Sequence, residues 1–331
     1  MTDKQNFDYI VVGSGSAGGQ LAARLTENGQ HRVLLLEGGA SHKRDLMVSM
    51  PAGWGAMTYS AKHSWCHMTE PEKWAGGRRL MMPRGKVLGG SSSINGMIYI
   101  RGHRQDYADW EAAGAEGWGW NHLLPYFVRT ENQTRINNKY HGRGGPVHAE
   151  DLPSVHPLTY AMIEAGQQAG LEKVDDFNDG TARGVGTYQV NVHKGKRASI
   201  AVNALEPAMK RGNLTVITQA MVLKITMVGT RATGIQYQIG DGPVQTAEAQ
   251  KEVLLCAGAI HSPQLMMLSG MGPAEHLREQ GISVVADLPG VGSNLQDHCC
   301  VPMSWKLRPG VKSMNARFQG MGLVGSVLQY L

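Results

Sequence analysis

A run of closely spaced glycines near the N-terminus has the spacing of a dinucleotide-binding loop. Residues 13–18 read GSGSAG, which matches G-x-G-x-x-G, and Glu37 follows 19 residues later. Gly13 would permit a tight turn, Gly15 would let backbone N–H groups approach a pyrophosphate, and Gly18 would let helix and strand pack closely. A carboxylate at Glu37 would accept hydrogen bonds from ribose hydroxyls and repel a ribose 2′-phosphate, which disfavours NADP. The motif leaves NAD and FAD open, and glycines that only make a turn are the alternative.

These residues need a strand, a turn, a helix and a second strand to position them. Apolar, β-branched runs over residues 7–12 and 32–36, with a helical pattern over 17–28 between them, predict a βαβ opening. Further periodicity predicts helices over 107–117, 121–130, 157–170 and 198–211, antiparallel strands over 214–219, 222–227 and 233–239, and a buried strand over 251–256. Ser262 and Pro263 predict the start of a further helix. The loop-rich stretch 40–83 is expected to run over the surface.

Two longer motifs indicate whether NAD or FAD is the expected dinucleotide. Residues 85–102 read GKVLGGSSSINGMIYIRG, and residues 258–272 read GAIHSPQLMMLSGMG. Following the glycine fingerprint in this order, they resemble the two signatures of the glucose-methanol-choline oxidoreductases. Shorter matches extend from residue 7 to residue 298. The resemblance is closest to the choline-dehydrogenase-like and aliphatic alcohol dehydrogenase branch.

The resemblance implies a fold and a division into domains. The fold class is α/β (α+β overall), a Rossmann-like FAD-binding domain interleaved with the start of an antiparallel-sheet substrate domain. We expect residues 1–305 to form the FAD-binding N-terminal domain, with a substrate-domain insertion near 142–190. We expect residues 306–331 to begin a truncated substrate domain.

The resemblance also implies FAD as the cofactor. The Gly/Ser loop within residues 85–102 would offer backbone N–H donors and short hydroxyls to the flavin ring and ribityl-phosphate chain, although a helix N-cap cluster is the alternative. The expected contacts are Gly13, Ser14, Gly15, Ser16, Ala17, Gly18, Glu37, Trp65, Val87, Gly89, Gly90, Ser91, Asn95, Gly96, Met97, Ile98, Val222 and Ala257. Some choline oxidases carry in this loop a histidine that bonds covalently to the flavin. Because Ile94 stands there, we expect non-covalent FAD.

The implied reaction is oxidation of a CH–OH group. A primary alcohol or choline-like substrate would lose its hydroxyl proton to a histidine base while hydride passes to flavin N5, giving an aldehyde. In the family that base lies in a C-terminal segment. We therefore assign no catalytic residue among the thirteen histidines and expect the chain alone to be inactive. A hydroxynitrile lyase of the same fold and a non-catalytic FAD-binding fragment are the alternatives. The electron acceptor, whether quinone, oxygen or dye, stays open.

Other reactive residues are expected to have structural roles. His261 is expected to be structural, and Asp297 and His298 are not expected to act directly in the chemistry. The i, i+4 pair His63 and His67 has no cysteine or acidic partner set, so we expect it on the surface rather than on a metal. A methionine cluster is expected to fill the core, at Met266, Met267 and Met271.

Composition excludes several classes of protein. The 331 residues are 42% hydrophobic and 18% charged, as in ordinary globular proteins, while 43 glycines suggest several close backbone approaches. The net charge of +5 is dispersed, so we expect no nucleic-acid partner. We also expect no signal peptide, no membrane span and reduced cysteines, with a location in the cytoplasm or peripheral at the inner membrane. The spacing of Leu323, Val327 and Leu331 predicts that the chain stops within a helix.

Overall fold

A six-stranded sheet organises the chain. A computed structural model describes residues 5–180, 183–298, 300–311, 313, 315, 320, 322 and 324–326. The sheet strands are β1 (Gln5–Val12), β2 (Val33–Glu37), β3 (Leu214–Thr218), β4 (Ala220–Val228), β5 (Arg231–Ile239) and β6 (Val244–Leu255). They lie in the order β3-β2-β1-β6-β5-β4. The first four are parallel, and β6, β5 and β4 continue the sheet in antiparallel pairs. The Rossmann-like arrangement expected from the sequence is confirmed.

One strand runs differently from the sequence prediction. Residues 214–219 were expected to pair antiparallel, but Leu214 to Thr218 pair in parallel with Val33 to Glu37. The expected antiparallel pairing holds for β4 with β5. Apolar alternation reports which face of a strand is buried, and it does not report the direction of the neighbouring strand.

Helices and short strands fill the connections. The helices are α1 (Ser16–Leu25), α2 (Leu46–Ser49), α3 (Trp54–Thr58), α4 (Arg104–Ala112), α5 (Trp120–Thr130), α6 (Pro157–Gln168), α7 (Glu206–Ala208), α8 (Gly258–Leu268) and α9 (Ala274–Glu279). Short 3-10 helices lie at Pro51–Gly53, Lys73–Ala75, Gly90–Ser93 and Met209–Arg211, and a π-helical turn lies at Ala201–Leu205. Short strands lie at His67–Met68, Met81–Met82, Ile98–Tyr99, Glu131–Gln133, Val147–Ala149, Gln189–Val190, Val192–His193, Lys196–Arg197, Met271–Gly272 and Ala286–Asp287.

Two local predictions need correction. The helix expected to start at Ser262 and Pro263 begins at Gly258, because that glycine, with φ +85°, lets the chain turn directly off β6. The stretch 40–83 does not run only over the surface. Val48 and Met57 are buried in a small cluster that also holds two residues of the Gly/Ser loop.

The sheet is buried on both faces. In β1 and β2, Ile10 and Leu34 belong to one core cluster, which α8 helps to cover, while Val11 and Leu35 belong to the other. The second cluster is covered by α1 and by the helical segment 200–208. Because the four strands β3, β2, β1 and β6 are parallel, their carboxyl ends lie at one edge of the sheet.

The described residues contain no helix that is long and apolar enough to cross a membrane. Cys66, Cys256 and Cys300 are free thiols. Leu323, Val327 and Leu331, on which the expected helix rested, lie outside the described residues, as does Cys299.

Candidate functional site

A cavity of about 830 Å³ lies at the carboxyl ends of the parallel strands. The ends of β1, β2 and β6 form its floor, and the start of α1, the start of α8 and residues 220–223 of β4 form its walls. Ligands of open α/β sheets bind at this edge, where loops and helix N-termini converge. The cavity is therefore the candidate functional site.

The three fingerprint glycines have different surroundings. A Cβ atom on Gly13, whose φ is +95°, would lie 2.5 Å from the Cys256 carbonyl oxygen. A Cβ on Gly18 would lie 1.9 Å from the Gly13 carbonyl oxygen, so helix α1 can approach the turn only with glycine there. A Cβ on Gly15 would meet nothing within 4 Å, because Gly15 lines the cavity. The turn and packing glycines are thus fixed by sterics, and Gly15 leaves the helix N-terminus open to an anion.

Glu37 ends β2 with a buried carboxylate in the cavity wall. Its Oε2 accepts hydrogen bonds from the Ser14 amide at 3.1 Å and the Ser14 hydroxyl at 2.5 Å, and its Oε1 accepts from the Gly39 amide at 2.8 Å. Burial raises the pKa of Glu37, although these hydrogen bonds oppose the shift. Each carboxylate oxygen can accept more than one hydrogen bond, so the group can still receive ribose hydroxyls.

The Gly/Ser loop is tied to the fingerprint turn. The Gly89 amide donates to the Ser14 hydroxyl at 3.0 Å, and a Cβ on Gly90 would lie 2.8 Å from the Gly15 Cα. Residues far apart in sequence thus build one continuous backbone surface, which forms part of the cavity wall.

A buried arginine holds the far side of this loop. The Arg197 guanidinium donates to the Asn95 carbonyl at 2.7 Å, to the Asn95 side-chain oxygen at 3.0 Å and to the Val48 carbonyl at 3.1 Å. Burial lowers the pKa of Arg197 to about 10. The loop therefore depends on a charged group from a distant segment.

The structure brings ten of the predicted contacts to the cavity. These are Gly13, Gly15, Ser16, Ala17, Glu37, Trp65, Gly90, Ser91, Val222 and Ala257. The other eight do not line it: Ser14, Gly18, Val87, Gly89, Asn95, Gly96, Met97 and Ile98. Ser14 and Gly89 support the wall from behind through hydrogen bonds.

Two histidines are among the cavity residues that sequence reasoning missed. His67 and His261 both line the cavity, and their Nε2 atoms lie 2.9 Å apart. They are 194 positions apart in the chain, so no local pattern could have indicated the contact.

The surface prediction for the pair His63 and His67 is wrong. His63 is only 7% exposed, and its Nε2 lies 2.9 Å from Asp45 Oδ2. His67 faces the cavity instead. Within the described part of the chain, no group of three or more His, Cys, Asp or Glu could hold a metal ion.

A second buried polar cluster lies outside the cavity. The imidazole of His141 lies 3.0 Å from the Glu131 carboxylate and 2.9 Å from Asp176, and Arg101 lies 3.2 Å from Glu131. Burial alone would lower the pKa of His141, but the hydrogen bonds to Asp176 and Glu131 raise it to about 9. The cluster joins four segments of the region between residues 101 and 176.

Comparison with known proteins gives one consistent family. A model of the GMC oxidoreductase family matches residues 7–300. An oxygen-dependent choline dehydrogenase of Photobacterium profundum is 47% identical over 295 residues, which cover 88% of this chain and 51% of the relative. The mitochondrial choline dehydrogenase of Homo sapiens is 44% identical, over 89% of this chain and 50% of its own length. The chain thus spans about half the length of these relatives.

Solved structures agree with the sequence comparison. Pyridoxine 4-oxidase from Mesorbium loti superposes with a TM-score of 0.81 at 35% identity, covering 85% of this chain and 55% of that one. An FAD-dependent oxidoreductase from Chaetomium thermophilum superposes with a TM-score of 0.83 at 32% identity, covering 88% of this chain and 52% of that one.

Proposed function

Because this chain belongs to the GMC oxidoreductase family, we propose that it forms the FAD-holding part of an enzyme that oxidises CH–OH groups. The substrate class that we propose is a primary alcohol or a choline-like alcohol, which becomes an aldehyde. The observation that supports this most directly is a single cavity that joins the fingerprint turn, Glu37 and the Gly/Ser loop.

The cofactor of this family fold is FAD, and the residues present fit it. The open N-terminus of α1 at Gly15 suits a pyrophosphate, since the backbone amides and the helix dipole both favour an anion. The buried Glu37 carboxylate suits ribose hydroxyls. The neighbouring Val222 and Trp65 would border the adenine, and Gly90 and Ser91 would lie along the ribityl chain.

The flavin ring would extend from Ser91 toward Asn95 to Ile98, beyond the cavity that the described residues enclose. Asn95 and Ile98 are exposed, so this loop has surface free for a further group. Arg197 holds the Asn95 backbone from behind, which would keep the loop in place against the ring. We propose these loop residues as contacts of the flavin ring. We also propose that the FAD-binding domain ends at residue 305 and that the substrate domain begins at residue 306.

The chemistry that FAD would supply when bound is two-electron oxidation of the alcohol by acceptance of a hydride. The residues of this chain would hold and orient the cofactor. The histidine base that takes the hydroxyl proton would come from a C-terminal segment beyond residue 331. Among the described histidines, His63 is held by Asp45 and His141 by Glu131.

The experiment compares this 331-residue chain with a version extended by the C-terminal half of a close relative. Both are loaded with FAD and assayed with primary alcohols, choline and a dye acceptor. We expect both to bind FAD but only the extended chain to turn over, because a general base typically contributes about 10² to 10⁴-fold and the missing half also positions the substrate.

Three outcomes would contradict parts of the proposal. A short chain that reduces dye within about tenfold of the extended one has its base among the histidines present, with His298 the first to test. Alcohol that fails to bleach the flavin of the extended chain would favour a hydroxynitrile lyase. Loss of FAD binding in both chains would reject the cofactor site itself.

A further inference from the structure

Two histidines that are 194 residues apart in the chain meet in the cavity wall. His67 lies in the short strand after Trp65, and His261 lies in the first turn of α8. Their Nε2 atoms are 2.9 Å apart, and their ring centroids are 4.8 Å apart at an interplanar angle of 68°. An Nε2–Nε2 distance of this size needs one proton between the rings, so one imidazole donates and the other accepts.

The pair lies next to the end of the cavity that carries Glu37. The indole of Trp65 contacts the His261 ring edge-on, with centroids 5.0 Å apart. The same indole lies against Gly38, where an added Cβ would be 2.9 Å from Trp65 Cζ2. One aromatic ring therefore separates the pair from the residue that follows the ribose carboxylate. A ligand that reaches Glu37 would have its adenosine half beside the pair.

The charged groups around the pair are mostly cationic. Arg84 lines the same cavity and acts electrostatically on His67, and Lys86 lies over the Trp65 ring at 4.8 Å. Asp297 lies 3.9 Å from Arg84, and Glu37 is the carboxylate in the cavity wall. Burial lowers the pKa of both histidines, and Arg84 and the neighbouring imidazole act in the same direction. Both rings are thus neutral at neutral pH.

Protonation changes the pair in two steps. A first added proton leaves a donor and an acceptor, so the contact survives. A second proton makes both Nε2 atoms donors and both rings cationic, so the hydrogen bond is lost and the rings repel each other. Acid would therefore separate His67 from His261 and disturb the Trp65 indole between them and Gly38.

We propose that His67 and His261 form a proton-sensitive latch at the adenosine end of the FAD cavity. The neutral pair keeps the wall closed against the adenosine half, and protonation of both rings opens the wall and weakens FAD binding. This inference rests on the proposed FAD site. It gives the two histidines a role in FAD binding that is additional to the roles of the fingerprint and the Gly/Ser loop.

The test measures FAD affinity of the FAD-stripped chain by flavin fluorescence at about pH 7.5 and about pH 4.5. The lower value lies well below the ordinary histidine pKa, because the pKa values of both histidines are lowered and both rings must be protonated. The double variant His67→Gln/His261→Gln can still form a side-chain hydrogen bond, since an amide both donates and accepts, but it does not titrate. His122→Gln is the matched control, because His122 is an exposed residue of α5 outside the cavity. Circular dichroism at both pH values checks that each protein is folded.

We expect wild type and His122→Gln to lose about tenfold or more in affinity at the lower pH. The double variant should lose less than about threefold between the two pH values, whatever its affinity at the higher one. Any pH dependence left in the double variant comes from other groups, of which Glu37 lines the same cavity. A wild-type affinity that is constant or rises with acid, or a double variant with the wild-type slope, overturns the latch while leaving the FAD site standing. Wild type that binds no FAD at either pH overturns the proposed function and the latch with it.

Discussion

Replacement of Glu37 tests the cavity most directly, because this carboxylate supports the wall and lines the cavity in which we propose that FAD binds. Its two oxygens accept hydrogen bonds from the Ser14 amide and hydroxyl and from the Gly39 amide, and its side chain is buried. Glu37→Ala removes the acceptor for all three donors. Glu37→Gln keeps the volume and one acceptor oxygen.

The expected loss of stability follows from the hydrogen-bond donors that the substitution leaves without a partner. Each buried unsatisfied N–H costs about 1 to 3 kcal/mol, and water entering the cavity would recover part of this cost. Glu37→Ala should therefore lower the free energy of unfolding of the ligand-free chain by about 2 to 4 kcal/mol, and Glu37→Gln by about half as much. The loss of charged hydrogen bonds to the ribose should also weaken FAD binding by about ten- to a hundredfold.

Urea unfolding of the ligand-free proteins and fluorescence titration with FAD separate the two effects. Burial raises the pKa of Glu37 above its ordinary value of 4.5, so the folded state binds the proton more tightly than the unfolded state. The free energy of unfolding therefore falls as the pH rises from 4.5 to the folded-state pKa. Glu37→Gln should remove this slope. Unchanged stability and unchanged FAD affinity in Glu37→Ala would refute the assignment of Glu37 to the ribose and to the wall.

Three further predictions use other parts of the chain. Acid precipitation of the FAD-loaded protein should leave a yellow supernatant, because Ile94 cannot bond to the flavin; yellow colour in the pellet would contradict non-covalent binding. Gly18→Ala should destabilise the chain by about 3 kcal/mol through its backbone clash. Gly15→Ala, with open space around it, should keep the stability in urea unfolding and weaken FAD binding. Equal stabilities of the two variants would show that the close packing at Gly18 is not needed. His141, with a pKa raised from 6.5 to about 9, should contribute stability that is lost as the pH rises through about 9; His141→Gln should flatten that alkaline slope in thermal unfolding, and an unchanged slope would assign it to another group.

The sequence determined those features whose cause is local. The turn at Gly13, the strand that follows α1 and the carboxylate at its end depend on backbone sterics and on the apolar periodicity of neighbouring residues. The parallel core was indicated by apolar runs that can only be buried on both faces. Two long signatures in a fixed order then indicated the family, which the match over residues 7–300 confirms.

Only the tertiary structure decided which distant residues meet. Leu214 to Thr218 gave an alternating pattern but pair in parallel, because strand direction depends on the whole chain path. His63 looked like a surface residue until folding placed Asp45 against it. His67 and His261 carried no signal, since a contact across 194 residues is set by the packing of α8 on the sheet. Local sterics and periodicity depend on residues that are neighbours in the sequence, whereas the partners of a side chain depend on which segments the folded core brings together.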